Sequence, residues 1–295
     1  MVWPENGLKT KRLSDKQRKY SMRFPIFLLI ASTSFAQDAN EIIRRATDRD
    51  FTNFESRKNY TYQERTELRE YNPKGKLTKT DVQTVEVLIL EGQPYEKLIA
   101  RNDKPLSEKD ANKERKKLDQ EIDKRKHQTA AEKAKLDKER LEEKKFLREF
   151  TEAFDFKIVG EDAVSGKPAW VISVTPKQGY RPQASEAKMF TKLRGKVWID
   201  KAEYHWVKAE GEATDTLSFG LFLFRVAPGA TVSFEQTSVN GEVWLPSRIS
   251  VRAEARIAIL KKMRAEIDIT YREYRKFQAD SKIVGEAVEP QSKKN

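Results

Sequence analysis

The chain contains no cysteine. That excludes disulfides and thiolate metal sites, and it excludes a lipid anchor on an N-terminal cysteine. Histidine is nearly absent as well. The two present, His127 and His205, have no ligand-spaced neighbours, so no metal is expected. There is no glycine-rich phosphate loop and no Gly-x-Ser-x-Gly elbow. Carboxylates are many, but none forms a distinctive pair in an apolar setting. Asp200, at the end of an apolar strand, reads as the cap of the turn that follows. No catalytic residue, cofactor or enzymatic activity is therefore expected. Long apolar runs are also missing. The longest near the N-terminus, Phe24 to Ile30, is too short for a bilayer, which takes about 20 residues.

What is present is charge. The 295 residues carry a net charge of +12, with 35% charged and 38% hydrophobic residues. Basic and acidic residues alternate, which reads as a solvated surface. The aromatics share faces with aliphatics instead of clustering with lysine and arginine, so no nucleic-acid partner is expected.

Residues 1–36 read as an export signal. Met22-Arg23 supply a basic start, Phe24 to Ile30 the apolar core, and Ser34-Phe35-Ala36 a small-x-small cleavage site. Residues 1–21 add nothing to a signal, and Met22 is the expected biological start. Residues 1–36 hold seven Lys+Arg and two Asp+Glu, so the remaining 259 residues carry +7. They are expected outside the cytoplasm, soluble, in the periplasm of a Gram-negative host.

The next segment, 37–106, opens on Asp38-Ala-Asn-Glu41, a capping-box pattern. It starts a short amphipathic helix through Ile42, Ile43 and Ala46 that is expected to stop before Asn53. Three alternating runs follow: Tyr60, Tyr62 and Leu68; then Val85, Val87 and Ile89; then Tyr95 to Ala100. Turns at Asn72-Pro-Lys-Gly75 and Glu91-Gly-Gln-Pro94 make them a meander.

Residues 107–153 form a long charged segment without glycine or proline. Its Lys, Glu, Arg, Asp, Ala and Leu content is strongly helical. Two helices broken near His127-Gln-Thr129 are expected, as a charged helical insertion between strands. Only the end from Phe146 to Phe154 is apolar enough to dock. Residues 154–277 resume the strands, and 278–295 are a polar tail.

The frame of the chain is Leu193 to Phe277. Val197 and Ile199 alternate with polar residues, as do Val232 and Phe234, Val243 and Leu245, Ile249 and Val251, and Ile267, Ile269 and Tyr271. That period of two marks strands with one face on a core. Leu217 to Val226 is apolar in both parities and reads as a strand covered on both faces, with a buried helix segment as the alternative. Asn240-Gly241 is a strong hairpin signal. The fold class that results is α+β: a strongly curved antiparallel sheet with covering helices and the charged insertion.

Four features together resemble the outer-membrane lipoprotein-sorting, LolA/LolB-like group of periplasmic proteins. They are the export signal with its capped helix, the meander ending Glu91-Gly-Gln-Pro-Tyr-Glu-Lys-Leu-Ile-Ala100, Gly195-Lys-Val-Trp-Ile-Asp200, and Asn240-Gly-Glu-Val-Trp-Leu-Pro246 leading to Tyr271-Arg-Glu-Tyr-Arg-Lys-Phe277. The resemblance implies a half-barrel with helices across an apolar concave face. It implies non-catalytic binding of lipid acyl chains or lipidated proteins there. Candidate cavity residues are Tyr60, Tyr62, Val87, Ile89, Trp170, Ile172, Val197, Ile199, Phe219, Leu221, Leu223 and Phe234; the pattern leaves open which parity faces inward on each strand. The alternative expectation is an envelope scaffold that takes a protein partner through residues 107–153.

Overall fold

The computed structural model describes residues 38–184, 186–219, 224–257 and 261–277. The expected signal segment, Leu221, Leu223 and the tail 278–295 lie outside the described residues.

Helix α1 (Ala39–Arg57) starts where Asp38 accepts a hydrogen bond from the Asn40 amide. The capping box does not close. Glu41 pairs with Arg44 and Arg45 at 2.8 and 2.7 Å instead, and those hydrogen bonds lower its carboxyl to about 2. The helix also runs past Asn53, where it was expected to stop, and ends at Arg57. Its inward stripe of Ala39, Ile42, Ile43, Ala46 and Thr47 continues through Asn53, all buried. The continuation is polar, and apolar periodicity alone does not reveal it.

The strands are β1 (Tyr60–Tyr71), β2 (Leu77–Leu90), β3 (Gln93–Arg101), β4 (Lys104–Pro105), β5 (Phe154–Val164), β6 (Lys167–Pro176), β7 (Leu193–Asp200), β8 (Trp206–Ala213), β9 (Leu217–Phe219), β10 (Phe224–Val226), β11 (Thr231–Val239), β12 (Val243–Ile257) and β13 (Lys261–Lys276). Their order across the sheet is β4-β3-β2-β1-β13-β12-β11-β8-β7-β6-β5, and every neighbouring pair is antiparallel. The end strands β4 and β5 do not pair, so this antiparallel sheet stays open. The meander of β1, β2 and β3 joins the C-terminal strands in one sheet, as expected.

Leu217 to Val226 is not one strand. Phe224 pairs with Phe219 and Val226 with Leu217, so the run doubles back as the β9–β10 hairpin, and β10 also pairs with β12. Continuous apolarity does not report a reversal of direction. The turns fall where the sequence placed them. Asn240 and Gly241 both take positive φ, 54° and 68°, the geometry of the tight hairpin turn that Asn-Gly favours. Asp200 caps the β7–β8 turn by accepting from the Ala202 and Glu203 amides at 3.0 and 2.6 Å.

Between β4 and β5 lie α2 (Glu108–Lys126) and α3 (Ala130–Ala153). Ser107 caps the first by accepting from the Asp110 amide, and Thr129 with Glu132 forms a capping box on the second. No residue of α2 is buried. It is held at the β2–β3 hairpin by Arg125, which donates to the carbonyls of Leu90, Gln93 and Pro94. By contrast, α3 returns to the sheet, and Phe146, Phe150 and Phe154 pack with Phe190 of a short 3-10 helix, Glu186–Lys192.

Cross-strand register fixes which residues share a face. One row runs Ile172, Val197, Ala209, Phe234, Ile249, Ile269 and Thr66, each opposite the next. The end of this row at Ile172 and Val197 forms the main core with Ile42, Ile43 and Ala46 of α1. Helix α1 crosses the strands on this inner face, touching β5, β7 and β12. Nineteen residues of helix span about 28 Å, and six strands span about 24 Å between their axes, so the helix just bridges that half of the sheet. The opposite face of β6, β7 and β8 carries a second core of Val171, Trp198, Val207 and Trp244.

Candidate functional site

Helices α1 and α3 do not lie flat on the sheet at every point. Between them and the strands β7, β8 and β11 is a cavity of about 400 Å3. Its walls are Phe146, Phe150 and Phe154 on the α3 side, Phe190 from the 3-10 helix, and Val197, Trp206, Val232 and Phe234 from the sheet. Val232 is 40% exposed, so the cavity communicates with solvent.

The floor has a gap built by sequence. Gly195 and Gly211 face each other across β7 and β8 and both line the cavity. A Cβ on Gly195 would sit 2.0 Å from the Glu210 carbonyl oxygen. Only glycine fits there, and the absence of two side chains leaves room that a neighbouring pair of valines would fill.

One end of the cavity is polar. Asp50, Arg57 and Gln236 line it. They are there because α1 continues its inward stripe at positions 50, 53 and 57 with polar residues. Asn53 is buried and pairs with the main chain of Trp244 in both directions: its Nδ2 donates to the carbonyl at 2.7 Å and its Oδ1 accepts from the amide at 2.8 Å. That clamp fixes the end of α1 to the start of β12. Arg57 pairs with Asp50 at 2.9 Å and donates to Gln236 Oε1 and to the Trp244 carbonyl, each at 3.3 Å. The roof is braced a second time at α3. Buried Glu149 accepts from the Tyr180 hydroxyl and the Gln183 amide, both at 2.5 Å, and from the Ala184 amide. Burial opposes ionisation of Glu149, yet these three donors outweigh it and hold its carboxyl below the usual range.

Past β12 the inner face continues with no helix of the described residues across it. On β3, Tyr95 and Glu96 point to opposite faces. Helix α2 sits on the Tyr95 side, where Arg125 lies over the ring, while Glu96 shares the face of Val87 and Tyr62. The open face therefore presents Ile249, Val251, Ile267, Ile269, Tyr271, Tyr62, Glu64 and Leu68, all half-buried. Tyr62 packs against Tyr271 and Tyr274, with ring centroids 5.8 and 5.4 Å apart. Burial raises the hydroxyls of all three tyrosines. It also raises the carboxyl of Glu64, and Glu96 adds to the shift.

The twelve candidate residues divide by place. Val197 and Phe234 line the cavity. Trp170, Ile172 and Ile199 share the core beneath α1 and fill space there. Tyr60 belongs to a separate cluster with Val243 and Leu245. Tyr62, Val87 and Ile89 lie on the open half of the sheet, with Val87 opposite Tyr62 and Ile89 opposite Pro94. Phe219 lies in β9, while Leu221 and Leu223 are outside the described residues. Sequence reasoning missed Phe146 and Phe150 of α3 as walls, although their i, i+4 spacing marks one helix face, and it missed Phe154 at the start of β5. It missed Arg57 because the helix was ended too early; Asp50 lay within the expected helix, but a polar residue carried no signal in a search for apolar walls.

Among the described residues no group of three or more metal-ligating side chains gathers, and no helix is long and apolar enough to cross a membrane. No family model and no curated protein matches the chain. Solved structures give distant likenesses. A candidate outer-membrane lipoprotein-sorting protein domain from Vibrio parahaemolyticus is 12% identical, over 83% of this chain and 96% of that one, with a TM-score of 0.36. A LolA-superfamily protein from Nitrosomonas europaea is 13% identical, over 82% and 95%, with a TM-score of 0.29. MucB of Pseudomonas aeruginosa, solved with MucA, is 12% identical, over 82% and 100%, with a TM-score of 0.22.

Proposed function

We propose that the chain is a non-catalytic protein of the periplasm that holds the apolar chain of a lipid or a lipidated protein in the cavity beneath α1 and α3. The observation that carries this reading is the cavity itself: about 400 Å3, walled by phenylalanines, with a glycine pair for a floor and an exposed valine at its wall. That size lies within the roughly 300–1,000 Å3 of small-molecule sites and suits a single chain. Affinity would come from apolar area, at about 25 cal/mol per Å2 removed from water, so selectivity among chains would be broad. The export signal expected in residues 1–36 places such a protein where it meets membrane lipids and lipidated proteins, and sorting of outer-membrane lipoproteins is one process it could serve.

The test is displacement of an apolar fluorescent dye by palmitate. One saturable site per chain is expected. Phe234→Asp and Phe150→Asp should each weaken uptake at least tenfold, about 1.4 kcal/mol, while leaving the circular dichroism spectrum unchanged. Undiminished uptake in both variants would overturn the reading.

A second reading has its own support. Helix α2 buries none of its residues, which leaves a long charged surface for an envelope partner. Deleting residues 107–153 would not separate the two readings, because Phe146 and Phe150 of that segment are cavity walls. Reversing Lys113, Lys116 and Lys117 to Glu would. Loss of a salt-sensitive partner with dye uptake intact would support the scaffold role.

A further inference from the structure

Arg57, at the polar end of the cavity, has donors to spare. Its Nε donates to the Trp244 carbonyl and its Nη2 to Asp50 and Gln236, but no described residue accepts from Nη1. Asp50 balances its charge. A ligand with a simple anionic head would gain Arg57 and meet Asp50.

The open sheet face continues from that point. The Trp244 carbonyl that Arg57 holds is two residues from the Pro246 carbonyl, which accepts from the Tyr274 hydroxyl. Tyr274 packs on Tyr62, and Tyr62 on Tyr271. Tyr271 lies directly opposite Glu64 across β13 and β1. Among the described residues Glu64 accepts the Thr66 hydroxyl, at 3.2 Å, and the charge that acts on its carboxyl is that of Glu96, with no lysine or arginine to offset it. A half-buried carboxylate beside aromatic faces, with no cation of its own, is the chemistry that receives an ammonium group. The belt from Arg57 to Glu64 is thus cationic at one end and anionic and aromatic at the other.

We propose that this belt reads a phosphate–ammonium zwitterionic head group, the phosphate on Arg57 and the ammonium against Glu64, Tyr62 and Tyr271, while the chain lies in the cavity. The proposal rests on the cavity reading above and goes further by naming the head. It makes the bare half of the sheet part of one site with the roofed half. It also accounts for Glu64: burial raises its carboxyl, and a bound cation would hold it ionised.

The experiment is isothermal titration calorimetry on the full chain, below the critical micelle concentrations, with single-chain probes: lysophosphatidylethanolamine, lysophosphatidylglycerol and monoacylglycerol of equal chain length. The zwitterion should bind at least tenfold more tightly than lysophosphatidylglycerol. Glu64→Gln should abolish that preference by weakening only the zwitterion. Arg57→Gln should weaken both phospholipids about tenfold more than it weakens monoacylglycerol, and its circular dichroism spectrum should match the wild type, since Asn53 still clamps the helix. Equal binding of all three probes by the wild type, or a preference that survives Glu64→Gln, would overturn the head-group site and leave the cavity standing. Failure of every probe to bind would remove the cavity reading and this inference with it.

Discussion

Ile172 and Ile269 stand on the same row of the same face of one sheet, and their surroundings differ. Ile172 has no exposed surface and lies beneath Ile42 and Ile43 of α1. Ile269, five strands along the row, is half-buried, and no helix of the described residues lies over it. One half of the sheet is finished by a helical roof, and the other presents an apolar face with tyrosines and Glu64 to solvent. A curved sheet that only needed a core would be roofed along its length. Here α1 carries its inward stripe on through polar residues and ends at Arg57. The boundary between the halves is chemical as much as geometric, because Asp50, Asn53 and Arg57 sit there.

The largest effect expected from this contrast is in packing. Ile172→Ala should cost about 3–4 kcal/mol in urea unfolding and Ile269→Ala about 1 kcal/mol, because the cost of a cavity depends on how fully the site is enclosed. Equal losses would erase the distinction between the halves. Next is the clamp. Asn53→Ala strands the Trp244 amide and leaves its carbonyl only the Arg57 donor, worth about 2 kcal/mol, and hydrogen exchange should show α1 loosening before the sheet does.

Glu149 gives a pH test of the roof. Its carboxyl is held low, so the stability it contributes is present above the ordinary glutamate value near 4.3 and is lost as pH falls through its lowered pKa. Glu149→Gln should therefore cost about 1–2 kcal/mol at pH 7 and almost nothing at pH 2. Glu64 should show the opposite sign at smaller size. Its carboxyl is raised, so ionising it costs stability as pH rises through the raised value. With no ligand, Glu64→Gln should raise the melting temperature by about 1 °C at pH 8 and leave it unchanged at pH 3.

Much of the fold was legible in the residues. Alternation identified the strands that pair in the sheet, and turn residues with positive φ, such as Asn240 and Gly241, located the reversals. Two kinds of information were not local. The first is direction: Leu217 to Val226 is apolar throughout, and nothing in that pattern says that Phe224 turns back onto Phe219. The second is enclosure. Ile172 and Ile269 stand on one row of the same sheet face, and the path of α1 is what makes the first a core residue. The candidate site was legible in part for the same reason. Val197 and Phe234 carry the alternation, so they were found. Arg57 interrupts an apolar pattern, and an interruption looks like the end of a helix until the helix is seen to continue.

The measurement closest to the central claim is native mass spectrometry of residues 37–295, purified from the envelope fraction without detergent, beside Phe234→Asp. The account predicts one single-chain amphiphile per wild-type chain and none on the variant. A wild-type protein that is ligand-free, takes up no added single-chain lipid and is as stable as the variant would contradict it.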